Sequence, residues 1–166
     1  IKARYAADTR VVYCSSKEAL YQLLDSKTAT EKFIVSEART PNDDWLAILS
    51  KGNFYLCLPG VRMPWSHNAF ESMAVGAIPI LQYNDLFYPA LEHLENCIVY
   101  NSYDSIEDAI ELALGMTEEE IMIMRTKVIE YYDHHLSLEK IVNKFQTFSD
   151  SNEQSLSVAI PFFQQK

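Results

Sequence analysis

The run from Phe54 to Leu81 constrains this chain more than any other part of it. Phe54-Tyr-Leu-Cys-Leu58 is a short apolar, aromatic-rich stretch, the pattern of a strand buried on both faces. Pro59 and Gly60 end it. Ser66 stands where a helix N-cap belongs, and Phe70, Met73 and Ala74 follow at helical spacing. Gly76 supplies the C′ residue that closes the helix, and Ile78-Pro-Ile-Leu81 reads as the next strand. Strand, loop and helix N-terminus in that order make an anion site, because open backbone N–H groups and the helix dipole both face the loop. Glu71 lies just over one turn inside, where a carboxylate can accept two hydroxyl hydrogen bonds from a ribose. The alternative is a plain exposed helix glutamate. An anion site beside a diol acceptor points to a nucleotide or a nucleotide-sugar.

Strand and helix patterns alternate along the rest of the chain. Val11–Cys14 reads as a strand, and Ser15 with Glu18 as a capping box opening a helix on Leu20, Leu23 and Leu24. Phe33–Val35 is the second strand, followed by a short helix with Trp45, Ile48 and Leu49 inside and Gly52 at its end. After the Phe54–Leu81 unit comes a loop over 84–95, with room for one or two helical turns, then a strand over Cys97–Tyr100. Ser105 with Asp108 is expected to cap a helix ending at Gly115, and Thr117 with Glu120 a longer one on Ile121, Met124 and Val128. Ser137 opens a last helix on Leu138, Ile141, Val142 and Phe145. This alternation predicts an α/β fold: a parallel sheet flanked by helices on both faces, with right-handed crossovers. The loops Pro59–Ser66, Ser36–Asn42 and Gln82–Pro89 then gather at the carboxyl edge of the strands, where such sheets bind ligands.

A length of 166 residues suits one domain with a sizeable core, expected over 1–148. Residues 149–166 read as a polar link followed by an apolar tail, Val158 to Phe163, which either packs back on a partner surface or forms a disordered end. The formal net charge of −9 argues against nucleic acid, whose phosphates would repel it. A nucleotide is not excluded, since helix termini neutralise charge locally. Glu118, Glu119 and Glu120 sit at a helix start and read as a solvated helix end rather than a metal site. No carboxylate cluster suited to a divalent ion stands out, so no metal and no resident cofactor are expected. Cys14, Cys57 and Cys97 each fall in or beside an apolar run, at spacings that suit neither zinc nor a disulfide framework. They point to a reducing compartment, the cytoplasm. No run approaches the roughly twenty apolar residues needed to cross a bilayer. The chain begins at Ile1, so it reads as a piece of something longer, and a preceding targeting segment would instead admit the Golgi lumen.

Several chemistries lack their motif. There is no Gly-x-Ser-x-Gly nucleophile elbow, and Cys14-Ser-Ser-Lys17 has no glycine for a dinucleotide fingerprint or a phosphate-binding loop. A receiver-type domain would want acidic residues after the first strand, where Cys14-Ser15-Ser16 stands. The rival that persists is a non-catalytic module binding a nucleotide or a protein.

Asn53 to Leu81, with Pro59-Gly60, Trp65-Ser66-His67 and Phe70-Glu-Ser-Met-Ala-Val-Gly-Ala-Ile-Pro79, resembles the exostosin-like glycosyltransferases. More broadly it is similar to the C-terminal half of a GT-B glycosyltransferase. The likeness is most specific from Glu71 to Pro79, extends loosely from Val11 to Phe145, and does not reach the last twenty residues. It implies a Rossmann-like domain holding a nucleoside-diphosphate sugar for polysaccharide biosynthesis, with the helix N-terminus near the diphosphate and the glutamate on the ribose. Acceptor binding would come from a missing N-terminal domain. Many retaining GT-B enzymes carry a second glutamate eight positions before the ribose-binding one. Met63 stands there in this chain, so an inverting or exostosin-type site is expected.

The candidate donor-binding residues are therefore Arg39, Arg62, Ser66, His67, Asn68 and Glu71. Arg62 is the nearest cation to the anion site and can pair with a diphosphate bidentately, or else faces solvent. Arg39, one loop earlier, is a second candidate for that task. Ser66 is a cap that can also offer its N–H to phosphate, and Asn68 can donate from backbone or side chain. His67 is the candidate catalytic residue, as a hydrogen-bonding partner of a phosphate or of the donor sugar, with a structural histidine as its alternative. Trp65 either stacks on a base or sugar or packs as a lid. Tyr83, Phe87 and Tyr88 read as aromatic core before they read as a pocket. His134 and His135 adjoin a helix end, a capping position rather than a metal pair.

Overall fold

The structure, a computed structural model, describes residues 5, 7–26, 32–60, 64 and 66–150. The elements run β1 Val11–Cys14, α1 Lys17–Leu24, β2 Phe33–Ser36, α2 Asn42–Ser50, β3 Phe54–Leu56, α3 His67–Ala74 and β4 Ile78–Leu81. Then follow β5 Ile98–Val99, α4 Ile106–Gly115, α5 Glu118–Tyr131 and α6 Leu138–Asp150. Among the described residues all strand pairings are parallel, and the fold is mixed α/β with helices flanking the strands. The strands divide into two sheets, β1-β2 and β3-β4-β5.

Central position explains burial in the second sheet. All four residues of β4, flanked on both edges, are buried, so both faces of that strand are covered. Edge strand β3 is only half-buried and stops at Leu56, two residues short of the apolar run. Pro79 sits in the central strand, where a missing N–H normally breaks a ladder. Ile78 N–H bonds Asn53 O and Ile80 O accepts from Cys57 N–H, so even positions face β3 and odd ones face β5. The β5 ladder begins only at Ile80↔Ile98, and Pro79 therefore lacks its donor just before that ladder starts. Helices α3 and α5 lie against β4, and α4 lies against β5. Met73, Ile78, Leu91, Ile98, Tyr100, Ile110, Met124 and Val128 form the centre of the core between them.

Helix ends follow local chemistry with two shifts of register. Thr117 and Glu120 form the expected capping box, Thr117 Oγ1 accepting from Glu120 N–H and Glu120 Oε2 accepting from Thr117 N–H at 2.8 Å. α1 is capped by Ser16 rather than Ser15, because the extended backbone of Ser16 sets its Oγ over Ala19 N–H at 3.2 Å. Ser105 does not cap α4 with Asp108. A 3₁₀ turn over Tyr103–Ser105 precedes that helix, and Ser105 Oγ accepts from the N–H groups of Asn101 and Ser102, both at 3.0 Å. After α5 the chain makes a π turn over Tyr132–Leu136, where His134 Nδ1 donates to Glu130 O at 2.6 Å, the helix-end role expected of it. α6 runs through Ser149 and Asp150, and the remainder of the polar link and the tail, 151–166, lie outside the described residues.

Candidate functional site

The α3 N-terminus stands just beyond the carboxyl end of β3. Ser66, in extended conformation, caps the helix by accepting from Asn68 N–H at 3.4 Å, a long and weak bond. Ala69 N–H bonds Ser66 O at 3.0 Å. At the other end Gly76 takes φ +73°, and Gly76 N–H→Met73 O (3.0 Å) with Ala77 N–H→Ser72 O (2.9 Å) completes a Schellman closure. Both ends of the helix carrying Glu71 are thus fixed by their own residues.

Along this helix His67 is exposed, while Ser66, Asn68 and Glu71 are half-buried. Asn68 Nδ2 donates to the Tyr55 phenol oxygen at 3.3 Å, tying the first turn of α3 to β3. Glu71 Oε2 accepts a 2.6 Å hydrogen bond from the indole Nε1–H of Trp45, on α2. The Trp45 ring in turn meets Tyr55 edge-on, centroids 5.7 Å apart. Burial, with Cys57 and Glu71 close by, pushes the Tyr55 phenol up to about 12, so it stays a neutral hydrogen-bonding group at physiological pH. Trp45, Tyr55, Asn68 and Glu71 form one polar and aromatic cluster joining α2, β3 and α3.

Of the residues expected at a donor site, the fold brings Ser66, His67, Asn68 and Glu71 onto one helix start. Arg39 is exposed in the loop after β2, a strand of the other sheet. Arg62 and Trp65 lie outside the described residues. Phe87 is core, buried and 5.4 Å from the Phe70 ring, whereas Tyr88 is 92 % exposed. Tyr83 lines a small cavity with Cys57, Pro59, Ser66, Gln82 and Phe87 at the carboxyl ends of β3 and β4. Its volume is about 10 Å³, room for one water rather than a nucleotide. A larger cavity, about 380 Å³, lies on the approach to β5, among Glu92, Glu95, Asn96, Lys127, Glu130 and the His134–His135 turn. Three carboxylates line it, and its one lysine is already paired with Glu95, so it repels a diphosphate.

Trp45 and Tyr55 are the site residues that sequence reasoning missed. Trp45 reads as the apolar side of a short helix, and nothing in the spacing of residues 26 apart announces an indole–carboxylate bond. The three cysteines are buried and free. Among the described residues no group of three or more His, Cys, Asp or Glu side chains is arranged to hold a metal ion, and no helix is long and apolar enough to cross a membrane. No protein-family model matches this chain, and no curated protein matches it in sequence.

Proposed function

We propose that this chain is the donor-binding half of a glycosyltransferase, holding a nucleoside-diphosphate sugar for transfer to a glycan or other acceptor. The observation that carries this reading is the capped α3 N-terminus at the carboxyl edge of β3, with the Glu71 carboxylate half-buried one turn further in. In this reading the diphosphate rests on the Ser66–Asn68 helix start, where the helix dipole favours negative charge. The ribose hydroxyls donate to Glu71, and His67 hydrogen-bonds a phosphate or the sugar. Arg62 and Arg39 would neutralise the diphosphate from their loops. The domain's contribution to catalysis is then stabilisation of the departing nucleoside diphosphate, an electrostatic effect of preset donors. No metal is assigned a part in it. The acceptor, and any general base for an inverting transfer, would come from a second domain.

One observation favours a second reading, a non-catalytic nucleotide- or protein-binding module. The cavity at the α3 start holds about 10 Å³ as it stands. Calorimetric titration with UDP, GDP and ADP separates the donor site from a module that binds protein alone. Binding of one nucleotide, abolished or strongly weakened in Glu71→Ala and reduced in His67→Ala while both variants keep their circular dichroism, supports the donor site. Binding by none of them rejects it in favour of the module.

A further inference from the structure

Glu71 has two carboxylate oxygens, and the structure distinguishes them. Oε2 is held at 2.6 Å by the Trp45 indole, while among the described residues Trp45 is the one hydrogen-bonding partner of this side chain. A carboxylate on a flexible glutamate stem loses rotamer freedom when it clamps a diol, a cost that weakens binding. A donor fixed on one oxygen removes that cost beforehand and sets the plane of the group. Trp45 is itself fixed. Its ring packs edge-on against Tyr55, whose hydroxyl accepts from Asn68 Nδ2, so the orientation of the indole is tied to the helix start. The α2 helix that carries it packs on α3.

We infer that Trp45 is the positioning residue that orients Glu71 for a ribose diol, making the site selective for ribonucleotides over deoxyribonucleotides. This rests on the donor-site reading. Trp45 touches no substrate in this arrangement; it acts only through Glu71. The indole N–H satisfies Oε2 and directs Oε1 and the second lone pair of Oε2 to the hydroxyls, a geometry that a mobile glutamate would have to find on binding.

Trp45→Phe keeps a ring against Tyr55 and deletes only the donor. The assay is calorimetric titration of the 166-residue chain and of this variant with UDP, GDP, ADP and the 2′,3′-dideoxy form of whichever binds. Wild type is expected to prefer the ribonucleotide. Trp45→Phe is expected to weaken ribonucleotide binding about tenfold, the scale of one hydrogen bond to a charged group, and to leave dideoxynucleotide binding unchanged. A merely structural Trp45 would weaken both alike. Wild type that binds neither, or both equally, overturns the donor-site reading and this inference with it. Wild type that discriminates while Trp45→Phe discriminates equally well overturns the inference alone. Should Trp45→Phe fail to fold, the Trp45 indole Nε1–H proton resonance of wild type decides. It is expected to shift with the ribonucleotide and not with the dideoxy form, and an unmoved resonance overturns the proposal.

Discussion

Gly76 is the hinge on which the site helix meets the central strand, and Gly76→Ala measures what that turn costs. An L-residue forced to φ +73° costs about 1–2 kcal/mol, because its Cβ crowds the following carbonyl. A Cβ there would also stand 2.9 Å from Ile129 Cδ1 and 3.0 Å from its Cγ1. Ile129 is 45 % exposed and can rotate away, at the cost of an off-rotamer side chain, roughly 0.5–1.5 kcal/mol. Alanine restricts the unfolded chain and so gives back about 0.4–1 kcal/mol. The expected net destabilisation is about 0.5–3 kcal/mol, centred near 2. Two companions separate the terms. Gly76→Asn, which tolerates the left-handed region, should be the milder change by about 1 kcal/mol. In the Ile129→Ala background the contact is gone, so Gly76→Ala should cost about 0.5–1 kcal/mol less than alone. Urea unfolding followed by circular dichroism reads all four, with stability differences taken at a common m-value. Gly76→Ala within about 0.3 kcal/mol of wild type, or Asn no better than Ala, would refute the argument that backbone conformation sets the cost.

Two further outcomes follow from the side chains. Thr117→Ala removes the α5 capping box and should destabilise by about 1 kcal/mol, with Thr117→Ser restoring most of it in the same urea assay. Burial raises the Cys57 and Cys97 thiols and the Tyr100 and Tyr131 phenols, each to about 12. With folded values above the unfolded ones, their contribution is complete below about pH 9 and is lost as pH rises toward 12; unfolding midpoints that stay flat from about pH 8 to 11 would contradict this.

Much of the site helix was legible because its chemistry is local. Ser66 can cap only an N–H two or three residues on, and Gly76 can close only the turn it ends, so reading a few residues places both ends of α3. Thr117 and Glu120 were legible on the same ground. Where two neighbours compete, locality does not choose between them. Ser15 and Ser16 are both competent caps, and the backbone of Ser16 decides the matter. Ser105 has two directions open to its hydroxyl, and it takes the backward one. The α6 stripe shows the difference between a pattern and its packing. Leu138, Ile141, Val142 and Phe145 recur at helical spacing as expected, yet stand 74, 39, 40 and 53 % exposed, since periodicity marks an apolar face without saying what covers it.

Alternating apolar strands and amphipathic helices, read from the chain alone, determine the parallel α/β class, because short connections leave few ways to bury both kinds of face. They determine too that α3 starts at the carboxyl end of β3 with Glu71 one turn inside. Tertiary structure alone decides the division of the described strands into two sheets, the full burial of β4 beside half-buried β3, and the bond from Trp45 to Glu71. Those depend on which segments meet in space. A backbone ladder or an indole–carboxylate contact forms between residues whose separation along the chain carries no trace of it.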